Sequence, residues 1–156
     1  MGRYNHIAHA MRKCYVKSRT KNPVLGFICV CVCKMTYHIC KIIYSNDIHY
    51  KVDFADNVYF CHNGFGIVIN PYSTIGSGTM IQHGVTIGEI DGSHASPKIG
   101  TNCFIGARAI LLGGIKIGDN VKIGAGAVVL NDIPSNCTAV GVPARIVKNN
   151  VIAPNS

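Results

Sequence analysis

The sequence predicts a mainly β protein, a triangular parallel β-helix preceded by a short helical segment. Three features carry that expectation. An aliphatic residue returns at every sixth position, at Ile69, Ile75, Ile81 and Ile87, then at Ile99, Ile105, Leu111, Ile117, Ile123 and Val129. Glycine follows directly at Gly76, Gly88, Gly100, Gly106, Gly118 and Gly124. Four residues after the aliphatic stands a second residue small or apolar enough to face inward, as at Ser73, Thr79, Val85, Cys103, Ala109, Val121 and Ala127. A period of six suits neither an α-helix nor an alternating strand. It suits a coil with three sides of six residues, the aliphatic pointing in and the glycine turning the corner at positive φ. Successive turns then stack as parallel strands about 4.8 Å apart.

Taken in order, residues 1–45 form a basic, apolar segment expected to be helical. They hold eight of the 15 basic residues and no Asp or Glu; the remainder of the chain has seven of each sign, so the net +8 lies entirely in this segment. Such a segment solubilises, or meets an anionic membrane or substrate; no motif for DNA or RNA accompanies it. The uninterrupted apolar run from Pro23 to Cys33 is too short to span a bilayer and stops at Lys34, which reads as a helix packed on the domain or lying at an interface. The eight cysteines include no C-x-x-C pair, and no secretory signal is recognised, so the thiols are expected reduced and the protein cytoplasmic, with a possible place at the inner face of the membrane.

Residues 46–148 are the β-helix domain, and 149–156 a C-terminal tail. The register runs back through Phe60, Phe54 and Ile48. It breaks twice. The step from Phe60 to Ile69 is nine, an insertion of three residues around Cys61–Val68, and the step from Ile87 to Ile99 is twelve, an excursion over Gly88–Lys98. Breaks in a regular repeat are where function is expected. His62 lies two positions past Phe60 and His83 two past Ile81, with three coil sides between those anchors. They therefore share one corner on successive turns. His94 lies in the excursion, and the reading brings all three to one edge. A histidine there suits the general base of acyl transfer to a hydroxyl, and glycine-rich corners suit backbone amides that meet the oxyanion.

The segment His62-Asn63-Gly64-Phe65-Gly66-Ile67-Val68-Ile69 resembles the His-x-x-Gly-Ile-Val-Ile stretch of serine acetyltransferases, within the hexapeptide-repeat acyltransferases. Gln82-His83-Gly84-Val85-Thr86-Ile87-Gly88 is similar to their Gln-Ser-Val-Thr-Leu-Gly, and Ser96-Pro97-Lys98-Ile99 to their Arg-His-Pro-Lys-Ile. The stretch from Gly124 to Val129 and that from Gly141 to Val147 resemble their acyl-CoA region. The resemblance implies a left-handed β-helix and a homotrimer with sites between subunits. It implies acetyl-CoA as donor and His62 as the base acting in a ternary complex, with His83 and His94 as further catalytic-site candidates. It places the donor at Gly106, Ala107, Ala125, Gly126, Arg145 and Lys148, and the acceptor at Cys61, Asn63 and Gln82. No metal is implied.

The chain departs from that pattern. Cys61 stands where the family has Asp before its histidine, Ala95-Ser96 stand where it has Arg-His, the spacer after His62 is one residue longer, and about 45 residues replace a long helical domain. Acceptor surroundings of Cys61, Asn63, His83 and Ser96 are neutral. The expected acceptor is therefore a sugar hydroxyl in capsule, exopolysaccharide or lipopolysaccharide synthesis, with the basic N-terminus meeting an anionic lipid carrier. The alternative is serine O-acetylation in cysteine biosynthesis. A non-catalytic β-helix scaffold, or a metal site on the same fold, is the distant third.

Overall fold

The computed structural model describes residues 3–18 and 23–149; the tail over 150–156 lies outside the described residues. Two helices, α1 (Arg3–Ser18) and α2 (Pro23–Tyr44), precede a run of short strands. The first coil holds β1 (Asp47–Ile48), β2 (Asp53–Phe54) and β3 (Tyr59–Phe60). The second holds β4 (Val68–Ile69), β5 (Thr74–Ile75) and β6 (Met80–Ile81). The third holds β7 (Thr86–Gly88), β8 (Lys98–Ile99) and β9 (Phe104–Ile105), and the fourth β10 (Ile110–Leu112), β11 (Lys116–Ile117) and β12 (Lys122–Ile123). The last has β13 (Val128–Val129), a bridge at Ile133, and β14 (Cys137–Val140), against which β15 (Arg145–Asn149) folds back antiparallel.

The strands stack into three parallel faces. The first runs β1-β4-β7-β10-β13, the second β2-β5-β8-β11, and the third β3-β6-β9-β12-β14. Fully buried Phe54, Phe60, Ile69, Ile81, Ile87, Ile105, Leu111 and Ile123 fill the prism, each the aliphatic or aromatic residue of its hexad. The second inward positions, Thr79, Val85, Cys103, Ala109, Val121 and Ala127, are buried too. Thr79 is tolerated because its hydroxyl donates to Gly100 O (3.0 Å) and accepts from Cys103 N–H (3.2 Å).

The corner glycines work differently from the expectation. None of Gly76, Gly88, Gly100, Gly106, Gly118 and Gly124 has positive φ. All but Gly88 are there for close approach: a Cβ on Gly76 would sit 2.5 Å from Gly100, and one on Gly118 2.4 Å from Ser135 N, whereas one on Gly88 would meet only Leu112 at 3.6 Å. The left-handed residue comes two places later. On the edge between the second and third faces it is Gly78, Asn102, Asn120 and Asn136. On the edge between the third and first faces it is Gly66, Gly84, Arg108 and Gly126.

The helices cap the open first coil. Ala8 and Cys40 join the core cluster, and the His9 ring lies edge-on to Phe54 (5.2 Å) with Nε2 3.0 Å from Val58 O. Arg12 pairs with Asp53, Lys13 with Asp56 (3.4 Å) and Lys41 with Asp47 (2.5 Å), so three of the N-terminal cations are neutralised by acids of the first coil. Lys34 does not end the second helix, because a lysine at the exposed border of a helix costs the backbone nothing. The result is 22 residues, long and apolar enough to cross a membrane by length and composition. Only Gly26, Cys29, Cys33 and Cys40 of this helix are buried, whereas Phe27, Met35 and Ile42 are exposed.

Candidate active site

The site is built on the edge between the third and first faces. β3 and β6 pair with Phe60 opposite Ile81, so the residues two places on are brought together. The rings of His62 and His83 meet edge to face, 5.0 Å between centroids. The three-residue insertion forms a 3₁₀ turn, Cys61–Gly64, in which His62 (φ 51°, ψ 39°) and Asn63 (φ 57°, ψ 26°) are both left-handed. The turn lifts the His62 side chain into solvent, while His83 is half-buried with its Nδ1 enclosed and without a hydrogen-bond partner among the described residues. Cys61 is buried beneath, its thiol pushed up by burial and so neutral at pH 7; Gln82 Nε2 donates to its Sγ at 3.1 Å.

The same edge continues along the prism axis. Gly84 N–H donates to Phe65 O (2.9 Å), Arg108 N–H to His83 O (3.0 Å), and Gly126 N–H to Ala107 O (2.8 Å). Gly106 and Gly126 spend their amides on the ladder, whereas the amides of Ala107 and Ala125 form no bond within the described chain. Those two N–H groups, with that of His83 at the equivalent place on the preceding coil, are open donors of this edge among the described residues. Arg145 and Lys148 lie on β15, opposite Val140 and Thr138, both exposed; Arg145, beside Val140, is the nearer to this edge.

His94 does not join the pair. The excursion leaves the first face after Gly88 and returns on the second at Lys98, so it departs from the next edge round the prism. There His94 packs on Tyr72 (4.2 Å) and its Nδ1 lies 3.5 Å from the Glu89 carboxylate, while Ser96 Oγ donates to Asn70 Oδ1 (3.0 Å). Nearness in sequence to His83 misled the expectation: a residue one coil side further on is on another edge. Glu89 also lines a cavity of about 400 Å³ on the first face, with Tyr37, Asp47, His49, Asn70 and Thr86. In it Asp47 accepts from Tyr37 and Lys41, and although burial alone would raise its carboxyl, these partners hold it below the usual value.

Arg108 was not singled out by the sequence. Its signal was there: it occupies a corner at which the other coils place glycine, and it reaches the His83 edge.

Comparison with known proteins accords with this geometry. The profile of the bacterial transferase hexapeptide (six repeats) matches residues 96–131. A serine acetyltransferase of Synechococcus elongatus is 36% identical over 116 residues, 73% of this chain and 47% of that protein. One of Staphylococcus aureus is 45% identical over 91 residues, 57% of this chain and 43% of that protein. Among solved structures, Neisseria gonorrhoeae serine acetyltransferase in complex with serine superposes at TM-score 0.74 with 34% identity, covering 88% of this chain and 53% of that one. The Brucella abortus enzyme in complex with coenzyme A gives 0.76 and 29%, covering 92% and 54%. The chain spans about half the length of these relatives.

Proposed function

We propose that this hexapeptide-repeat, serine acetyltransferase-like chain is an O-acetyltransferase that uses acetyl-CoA, with His62 as general base. The observation that carries the reading is the His62–His83 pair at 5.0 Å on an edge whose amides at Ala107 and Ala125 are open. His62 takes the proton of the acceptor hydroxyl as its oxygen attacks the thioester carbonyl. Open backbone N–H groups stabilise the oxyanion. The tetrahedral intermediate collapses with loss of the CoA thiolate, which recovers the proton from the imidazolium. His83, in ring contact, restricts the orientation of His62. Ala125 and Gly126 face the pantetheine arm, and Arg145, with Lys148 further out, meets the nucleotide phosphates. In this reading three chains associate, as hexapeptide-repeat prisms do, and the donor lies between neighbours; the reaction belongs in the cytoplasm.

L-Serine is the first acceptor to test, because the similar proteins are serine acetyltransferases. This replaces the saccharide as the leading reading. A lipid carrier also meets fewer free cations at the N-terminus, since Arg12, Lys13 and Lys41 are engaged with the first coil. The saccharide reading keeps one observation in its favour: Cys61 is a neutral thiol and Ser96 is tied to Asn70, so neither holds a charged amino acid. Thiol release from acetyl-CoA decides between them. A kcat/KM for L-serine above about 10⁴ M⁻¹s⁻¹, the range of true substrates, supports serine; failure with serine alongside turnover of sugars overturns it.

A further inference from the structure

Arg108 has no structural employment. It is held at φ +58°, a region that glycine enters freely and other side chains enter at a cost. Gly66, Gly84 and Gly126 occupy the equivalent corners of this edge, and the parallel edge uses Gly78, Asn102, Asn120 and Asn136. An arginine is thus tolerated where every neighbouring coil has the residue the backbone prefers. Nor does its charge serve the fold. Each of the seven acidic side chains bonds elsewhere: Asp47 to Lys41, Asp53 to Arg12, Asp56 to Lys13, Glu89 to His94, Asp91 to Ser93, Asp119 to Thr101 and Asp132 to Lys116 N–H. No hydrogen bond or ion pair of the Arg108 side chain occurs among the described residues.

Its direction is set by a missing Cβ. The Arg108 stem crosses Gly84, where an added Cβ would come within 3.1 Å of Cγ. The stem therefore runs down the edge toward the coil of His83, one rung of about 4.8 Å away, with His62 on the next. An extended arginine is long enough to cover most of one rung, which puts the coil of His83 within reach of its exposed guanidinium.

We propose that Arg108 is the anion-binding residue of the active edge, taking an oxyanionic group of a substrate, foremost the carboxylate of an amino-acid acceptor. A guanidinium grips carboxylate or phosphate through two parallel N–H···O bonds, which a sugar hydroxyl does not require. The assignment rests on the acetyl-transfer reading and gives it the charge that Cys61, Asn63 and Ser96 fail to provide. A phosphate of the donor is the second source of the same chemistry.

Arg108→Gly restores the residue of the other corners, so its melting temperature is expected at or above that of the wild type. Titration calorimetry of the full chain then reads the site. Wild type is expected to bind L-serine about 10-fold or more tightly than serinamide, which lacks the carboxylate. In Arg108→Gly that preference should vanish while CoA binding stays within about 2-fold, and Arg108→Lys should keep part of it. A loss of CoA affinity in the variant, absent with S-acetylpantetheine, assigns the anion to the donor phosphates and sustains the anion site. Unchanged binding of both L-serine and CoA by a stably folded Arg108→Gly overturns the proposal, as does a wild type that binds neither. Absent serine turnover in a chain whose ligand binding still depends on Arg108 would sink the acceptor reading alone.

Discussion

His62 and Asn63 are consecutive left-handed residues, a conformation that costs non-glycine side chains about 1 kcal/mol or more each. The 3₁₀ turn accommodates the three inserted residues without breaking the pairing of β3 with β6, and its by-product is a histidine lifted clear of the prism beside His83. His62→Ala should lower turnover by about 100-fold or more, with CoA affinity by calorimetry unchanged; activity within a few-fold of wild type would move the base to His83. Gly126 probes the donor side. Its φ is +67° and no atom of the described residues lies within 4 Å of an added Cβ, so Gly126→Ala costs about 1 kcal/mol of backbone strain and creates no clash with them. Alanine is a cleaner probe there than a β-branched valine. Steady-state kinetics should show a raised KM for acetyl-CoA and an unaltered KM for the acceptor; equal changes would detach this corner from the donor. The pairing of His62 with His83 was legible because it follows from counting hexads. Arg108 was not, because its charge became conspicuous only once φ and the neighbouring corners were known.

At the level of the coil, Gly76, Gly100, Gly106, Gly118 and Gly124 act as spacers. A Cβ on Gly100 would stand 2.5 Å from Asp119 Oδ1 and 2.8 Å from the Gly118 backbone. Gly100→Ala is therefore expected to destabilise by about 1–3 kcal/mol, seen as a lower melting temperature. A neutral result would mean that the stack opens at that rung more easily than its geometry implies. The period was readable from sequence, but the reason for glycine was misassigned, because a spacing pattern does not distinguish close approach from positive φ. The helix cap carries a pH dependence. Burial, with Lys51 adding to it, lowers the His49 imidazole from its ordinary 6.5 against the opposing pull of Asp47. The unfolded chain then binds that proton more readily, so stability present above pH 6.5 is lost as pH falls below it. Asp47, whose net shift is also downward, adds a second loss below about 3.8, where the unfolded carboxyl protonates first. Melting temperatures between pH 7 and 5 should fall more steeply for wild type than for His49→Gln; parallel slopes would remove His49 as the cause.

For the molecule as a whole, the proposed assembly is three prisms with the donor between them. Light scattering at micromolar concentration is expected to give three chains per particle, and a monomer there would count against sites formed between neighbours. The basic N-terminus reads differently in three dimensions than along the chain: Arg12, Lys13 and Lys41 close the first coil through Asp53, Asp56 and Asp47. The second helix continues through Lys34 to Tyr44 because the end of an apolar run is not a helix stop, and no breaker stands there.

By itself the sequence determined the β-helix, its register from Ile48 to Val129, and the meeting of His62 with His83. A repeat of six admits one way to bury its aliphatics, and register follows by addition. Tertiary structure alone decided the course of the Gly88–Lys98 excursion and what individual corner groups do. It moved His94 to the Tyr72 corner, left the amides of Ala107 and Ala125 open in place of those of Gly106 and Gly126, and aimed Arg108 over Gly84. Those outcomes depend on φ, on which donors the ladder consumes and on which neighbour lacks a Cβ, quantities set between coils and so absent from any single hexad.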